Sequence, residues 1–162
     1  RSKRTTSRPS DAPVAAAIYE PLPGDLYLAE RDDGARLNGE PLTAASSVSL
    51  EHGTAAFVVG LPAMRDADRS AQADRLIDAL GEECKRVVPT WAPCVDWGLL
   101  ARGGIEGLVC FHPEIYEQHA GDLLAAESGV VASDTVADDG IYVGAHGDDT
   151  RATLAAVVDE TL

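Results

Sequence analysis

The side chains best placed to do chemistry fall between Gly103 and Val130, in GGIEGLVCFHPEIYEQHAGDLLAAESGV. Ile105, Leu108, Val109 and Phe111, bounded by Gly103-Gly104 and Pro113, predict a covered strand. From Ile115 the spacing turns helical, with Ile115, His119, Leu123 and Ala126 on one stripe and Gly129 as the stop. Glu117 therefore sits in the first helical turn, just past the carboxyl end of a strand, where open α/β sheets bind ligands. A carboxylate there could serve a cation site, but a helix start favoured by the dipole accounts for it better. Cys110 and His112 would share one strand face and could contribute to a metal site or a thiol–imidazole pair. Nothing nearby orients the imidazole, and a buried thiol beside a turn histidine accounts for both residues.

Composition narrows the function further. The three cysteines, Cys84, Cys94 and Cys110, are odd in number with no CxxC, which argues against a disulfide framework or a structural zinc. A net charge of −14 and a pI near 4.5 repel nucleic acid and anionic membrane, so no nucleic-acid or membrane partner is expected. Lys3 and Lys85 are the sole lysines, and an acid-rich, lysine-poor surface suits a halophilic source. No apolar run approaches the roughly 18 residues of a membrane span and no signal-peptide pattern opens the chain, so the expected location is cytoplasmic. At 17.0 kDa one ordinary domain with a real core is expected. Residues 1–12 open with Arg1, Lys3, Arg4 and Arg8 and read as a flexible basic tail, foreign to the acidic remainder.

The elements that must position these residues follow in order. Residues 14–19 and Asp25 to Arg31 read as strands joined by Leu22-Pro23-Gly24-Asp25. Turns at Asp32-Asp33-Gly34 and Asn38-Gly39 flank Ala35-Arg36-Leu37, making residues 13–48 an antiparallel meander that needs a partner layer. Residues 49–162 read as an α/β domain. Strands are expected at Ala55–Leu61, Arg86–Val88, Ile105–Phe111 and Ile141–Val143. Helices are expected at Ser70–Leu80, Val95–Arg102, from Ile115, and Thr150–Val158, the last capped by Asp148, Asp149 or Thr150. Alternating strands and helices predict a mostly parallel sheet flanked by helices.

Three segments in order resemble the inositol monophosphatase family of magnesium-dependent sugar-phosphate phosphatases. Val14 to Leu42 is similar to its strand, "YDP" turn, second strand and "GAxLNGxPL" run. VDWGLLARGGIEGLVCF resembles the helix and strand after its "GSAA" element, and IYEQHAGDLLAAESG resembles "PWDxAAGxLLVxEAGG". The resemblance implies an α+β sandwich with the active site between an antiparallel sheet and an α/β half. It implies carboxylates that hold two or three Mg²⁺ ions to activate water and neutralise a phosphate ester's leaving oxygen. The family's "GEE" and "DPxDGT" ligand segments do not appear, so the amino-terminal part of the fold is read as missing.

Gapless matching places Glu117 at the aspartate of "PWD" as the one retained metal ligand, with its oxygens displaced by the length of one C–C bond. The "GSAA" element falls on Trp91-Ala92-Pro93-Cys94, and a sugar-contacting glutamate of some members falls on Cys110. Trp91, Ala92, Cys94 and Cys110 are thus altered substrate-binding positions. Trp91 is expected to plug a disused pocket and His119 to crowd the same helix. Gly107, Gly121 and Glu127-Ser128-Gly129 fit scaffold positions.

Three functions compete. One is Mg²⁺-dependent hydrolysis of an inositol or sugar phosphate, weak or absent in this chain alone. Another is a non-catalytic binding or interaction module with a filled cleft near Trp91 and Glu117. The third is an unrelated α/β ligand-binding domain, distinguished by strand order and by absence of the "LNG" hairpin from the sheet. An open sheet exposing apolar side chains from Val14 to Leu37 also predicts self-association, with a homodimer as the expected form.

Overall fold

A computed structural model describes residues 13–133 and 140–162, with the Glu117 side chain outside the described part. The basic tail at 1–12 likewise lies outside the described residues. The chain opens with an antiparallel meander, β1 (Ala15–Glu20), β2 (Asp25–Glu30), β3 (Gly34–Leu37) and β4 (Glu40–Leu42), paired in sequence order. Asn38 and Gly39 have φ of 52° and 88°, the left-handed conformations of a type I′ turn, and they join β3 to β4 within the sheet. The "LNG" hairpin is therefore part of the sheet, contrary to what an unrelated domain would show.

The second sheet comprises β5 (Thr54–Val59), β6 (Arg86–Pro89), β7 (Gly107–Phe111), β8 (Val131–Ala132) and β9 (Ile141–Ala145), in the order β6-β5-β7-β9-β8. β5 pairs in parallel with β6 and β7, while β9 runs antiparallel to both β7 and β8. The strands point one way except β9. The return from β8 to β9 spans only 133–140, too short for the crossover a parallel pair needs, and so reverses the chain.

Five helices accompany the strands among the described residues: α1 (Leu61–Arg65), α2 (Ala67–Glu83), α3 (Pro93–Ala101), α4 (Ile115–Ser128) and α5 (Asp148–Thr161). α2 starts ahead of the expected Ser70 because Asp66 accepts a hydrogen bond from the Arg69 N–H and caps it. The cap of α5 is Gly147, with φ of 88°, rather than Asp148, Asp149 or Thr150; the two aspartates occupy its first turn. α4 ends as expected at Gly129, whose φ is 93°.

The layers run meander, α3 with α4, second sheet, then α2 with α5. One core joins Ile18, Tyr27 and Ala35 of the meander to Trp97, Leu100, Leu124 and the Leu108–Cys110–Tyr142 face of the second sheet. The other packs Leu76, Leu80, Leu154 and Val158 on the opposite face, beside Val109, Phe111 and Val143. β7 is consequently buried on both sides, in accord with its unbroken apolar run.

The buried stripe of α4 passes through Gln118, Gly121, Ala125 and Ser128, while Ile115 and His119 face outward. The expected stripe through Ile115 and His119 is thus out of phase, and His119 crowds nothing. A helix covered from two sides buries most of its girth, and the apolar period loses its direction.

Scaffold glycines fit where a side chain would not. A Cβ at Gly121 would meet the Trp97 ring at 2.2 Å, and one at Gly107 would meet Leu154 Cδ1 at 2.3 Å. The Glu127 carboxylate accepts hydrogen bonds from the N–H groups of Asp32 (3.1 Å) and Gly34 (3.2 Å), tying the β2–β3 turn to α4.

Candidate functional site

Because β6, β5 and β7 are parallel, their carboxyl ends share one edge, and the helices that follow them, α3, α1 and α4, all begin there. The positive dipole ends of these helices converge at that edge. Gly60 permits the approach: a Cβ there would fall 1.9 Å from the His112 carbonyl oxygen. The Gly60 N–H donates to Phe111 O at 3.0 Å, and the Thr90 N–H to Phe57 O at 3.4 Å. His112 leaves the strand with φ of 45° and donates its N–H to Gly140 O at 2.5 Å. Its ring stacks edge-on against Phe111 at 4.5 Å, and burial lowers its pKa. This left-handed residue breaks strand alternation, so Cys110 and His112 do not share a face as expected.

Glu117 lies in the first turn of α4 at this edge, as expected, with its side chain outside the description. Ala92 is the exposed residue before α3 and offers no side-chain cap. Cys94 is exposed in the first turn of α3, whereas Cys110 is completely buried in the central core. No solute reaches the Cys110 thiol in this structure. Trp91 is 73% exposed rather than plugging a cleft, because the bend after Thr90 turns its ring outward. Ile115 and Tyr116 are exposed at the start of α4, and Leu61 at the start of α1. The edge is therefore rimmed by aromatic and aliphatic side chains.

Sequence reasoning missed the buried polar groups behind this rim. Asp96 is 1% exposed in α3. Thr90 Oγ1 donates to Asp96 Oδ2, while Oδ1 has no hydrogen-bond partner. Burial raises this carboxyl to about 6 from an ordinary 3.8, and the Thr90 hydrogen bond opposes the rise. Gln118, next to Glu117, is buried with neither amide atom hydrogen-bonded. Trp97, whose ring lies 4.6 Å edge-on from Tyr142, also leaves its Nε1–H unpartnered. Gly98 leaves room for Glu20 and Tyr27, whose atoms a Cβ there would meet at 2.8 and 2.9 Å. Burial pushes the Tyr27 phenol up to about 12. No periodicity marks these positions, since each is an isolated polar residue within an apolar helix or strand.

On the far side of the second sheet's strands, Glu106 accepts from Ser46 Oγ (2.9 Å) and the Thr54 N–H (2.6 Å) and fastens the 43–49 loop. Among the described residues no group of three or more His, Cys, Asp or Glu side chains gathers closely enough to hold a metal ion. Cys84, Cys94 and Cys110 form no disulfide with one another, and no described helix is long and apolar enough to cross a membrane.

Comparison with known proteins agrees with this architecture. The sequence model of the inositol monophosphatase family matches residues 9–160. The Nus factor SuhB of Salmonella typhimurium is 29% identical over 119 residues, 74% of this chain and 43% of that protein. A fructose-1,6-bisphosphatase/inositol-1-monophosphatase of Aquifex aeolicus is 28% identical over 121 residues, 75% of this chain and 45% of its own length. The chain thus spans under half of the curated relatives it matches. Among solved structures, the extragenic suppressor protein suhB of Bartonella henselae superposes with a TM-score of 0.79 at 19% identity, covering 92% of this chain and 58% of that one. An inositol monophosphatase from Anabaena gives 0.78 at 17% identity, covering 92% and 60%. The LNG hairpin in its meander, the edge where α3 and α4 begin and the match over nearly all its length together make this chain a member of the inositol monophosphatase family.

Proposed function

We propose that these 162 residues act as a non-catalytic binding or interaction module on the inositol monophosphatase scaffold, and that alone they hydrolyse no phosphate ester at an appreciable rate. The observation that carries this reading is the character of the carboxyl edge, where Trp91, Ile115 and Tyr116 stand exposed and Asp96 is buried against Thr90. The family's chemistry uses Mg²⁺, which when bound would activate water and neutralise a leaving oxygen. Mg²⁺ demands near-ideal octahedral oxygen ligation. The described residues of this chain do not fit that demand: Asp96 is turned into the protein, and no carboxylate cluster gathers at the edge. Relatives bear both an enzyme's name and a Nus factor's name, so the scaffold is not tied to one role.

The ligand class in keeping with the family is an inositol or sugar phosphate, met by the helix starts of α3 and α4. A second reading is supported by Glu117, which keeps a negative charge at the family's aspartate position. There, hydrolysis would require the remaining ligands from outside these 162 residues, in a longer gene product or another chain, since this chain matches under half of its curated relatives. Incubating the purified chain with inositol 1-phosphate and fructose 1,6-bisphosphate, with and without Mg²⁺, tests the proposal. Metal-dependent phosphate release that vanishes in Glu117→Ala would overturn it.

A further inference from the structure

We propose that the cavity between the start of α2 and the end of α5 binds a small zwitterion with an aliphatic body, of the class of free aliphatic α-amino acids. It lies on the α2–α5 side of the second sheet, away from the starts of α3 and α4, and is independent of the reading above. β9 runs antiparallel to β7, so Ile141 at its start stands opposite Phe111 at the end of β7. These two residues, with Val158 near the end of α5 and Leu162 just beyond it, give the cavity an apolar floor. Phe111, Ile141 and Val158 are buried and belong to the core beneath. The cavity measures about 340 Å³, within the roughly 300–1,000 Å³ of small-molecule sites.

Polar side chains ring that floor. Gln72 of α2, His112 and Asp159 of α5 line the cavity, and within the described residues none of the three side chains makes a hydrogen bond or ion pair. Gly140, with φ of 71°, leaves room for the imidazole, since a Cβ there would fall 2.3 Å from Nδ1. The left-handed backbone of His112 is a strained conformation of the kind that gathers at ligand sites. Burial and the nearby Arg69 charge lower its pKa, so the ring is neutral at pH 7 and both donates and accepts.

Charge selects the occupant. Arg69 lies one turn before Gln72 on α2, near enough for its charge to act on His112. Asp159 brings the opposite sign from α5. One cation and one anion on two different helices suit a ligand carrying both charges, its carboxylate toward Arg69, Gln72 and His112 and its ammonium toward Asp159. A lone anion would be repelled by Asp159 on a chain that already carries −14. A lone amine would meet Arg69 uncompensated, and a wholly apolar ligand would cover Gln72 and His112 without pairing them.

Calorimetric titration of L-leucine into the full chain tests the proposal, and saturable binding at millimolar concentration or below is expected. Isocaproate keeps the body and the carboxylate, and isoamylamine keeps the body and the ammonium. Each is expected to bind about tenfold more weakly than leucine, because one charge goes unmatched. Asp159→Asn, at an exposed position, is expected to weaken leucine about tenfold and to leave isocaproate no weaker. His112→Gly removes the imidazole and relaxes the left-handed backbone, so leucine binding is expected to fall while urea unfolding shows no loss of stability. No saturable heat with leucine, binding of either truncated analogue as tight as leucine, or an Asp159→Asn variant that binds leucine unchanged would each overturn the proposal.

Discussion

Replacing Asp96 by Asn asks whether the protein is strained by a charge it keeps out of water. Asp96 is 1% exposed, with one oxygen bound by Thr90 and the other unpartnered. Its carboxyl titrates at about 6 when folded against 3.8 ordinarily, so the folded state holds the proton more tightly than the unfolded chain. Stability from this group is therefore fully present below pH 3.8 and falls as pH rises toward 6. The fall amounts to at most about 3 kcal/mol at roughly 1.4 kcal/mol per pKa unit, and the gain from Asn to about 2 because its amide N–H takes the unpartnered Oδ1 position. Asn keeps an oxygen to accept from Thr90 and removes the buried charge. Asp96→Asn is thus expected to stabilise the chain by about 2 kcal/mol at pH 7.5 and to leave it nearly unchanged at pH 3.8. Urea unfolding followed by circular dichroism at both pH values measures this. A variant destabilised at pH 7.5, or one with an undiminished pH slope, would refute the argument and make Asp96 a charge the fold depends on.

Gly121→Ala drives a methyl group into the Trp97 ring, 2.2 Å from Cδ2, and no flexible side-chain end is there to yield. A loss of about 3 kcal/mol is expected from such overpacking, read as a lowered urea midpoint at unchanged slope. Trp91→Ala, by contrast, removes a ring that is 73% exposed and is expected to change stability by less than about 0.5 kcal/mol. A larger loss would restore the view that Trp91 fills a pocket.

Three of the four meander strands were legible, because Asp32-Asp33-Gly34 and Asn38-Gly39 are local turn signals that need no tertiary context, while β4 (Glu40–Leu42) was not read as a strand. Gly129 likewise marked the end of α4 correctly, since only the backbone at that position matters. What escaped the sequence was set by chain reversal and by packing against other elements. The direction of β9 depends on how short its return from β8 is. The phase of α4 depends on its being covered by a sheet on either side. In the candidate site, the position of Glu117 at a helix start was readable from the strand–turn–helix pattern. The outward turn of Trp91 and the burial of Asp96 were not, because a bend and a single carboxylate among apolar neighbours leave no periodic trace. The family resemblance named the candidate positions, and only the structure showed that the edge carrying them is rimmed by apolar side chains.

The most direct measurement is phosphate release by the purified full chain from inositol 1-phosphate, with millimolar Mg²⁺ or with a chelator, alongside calorimetric titration of Mg²⁺ into the chain. The account predicts release no faster than in buffer under either condition, and no saturable heat of metal binding. Mg²⁺-dependent turnover that is lost in Glu117→Ala, with a matching loss of metal binding, would contradict it and show that this carboxyl edge still assembles the family's chemistry.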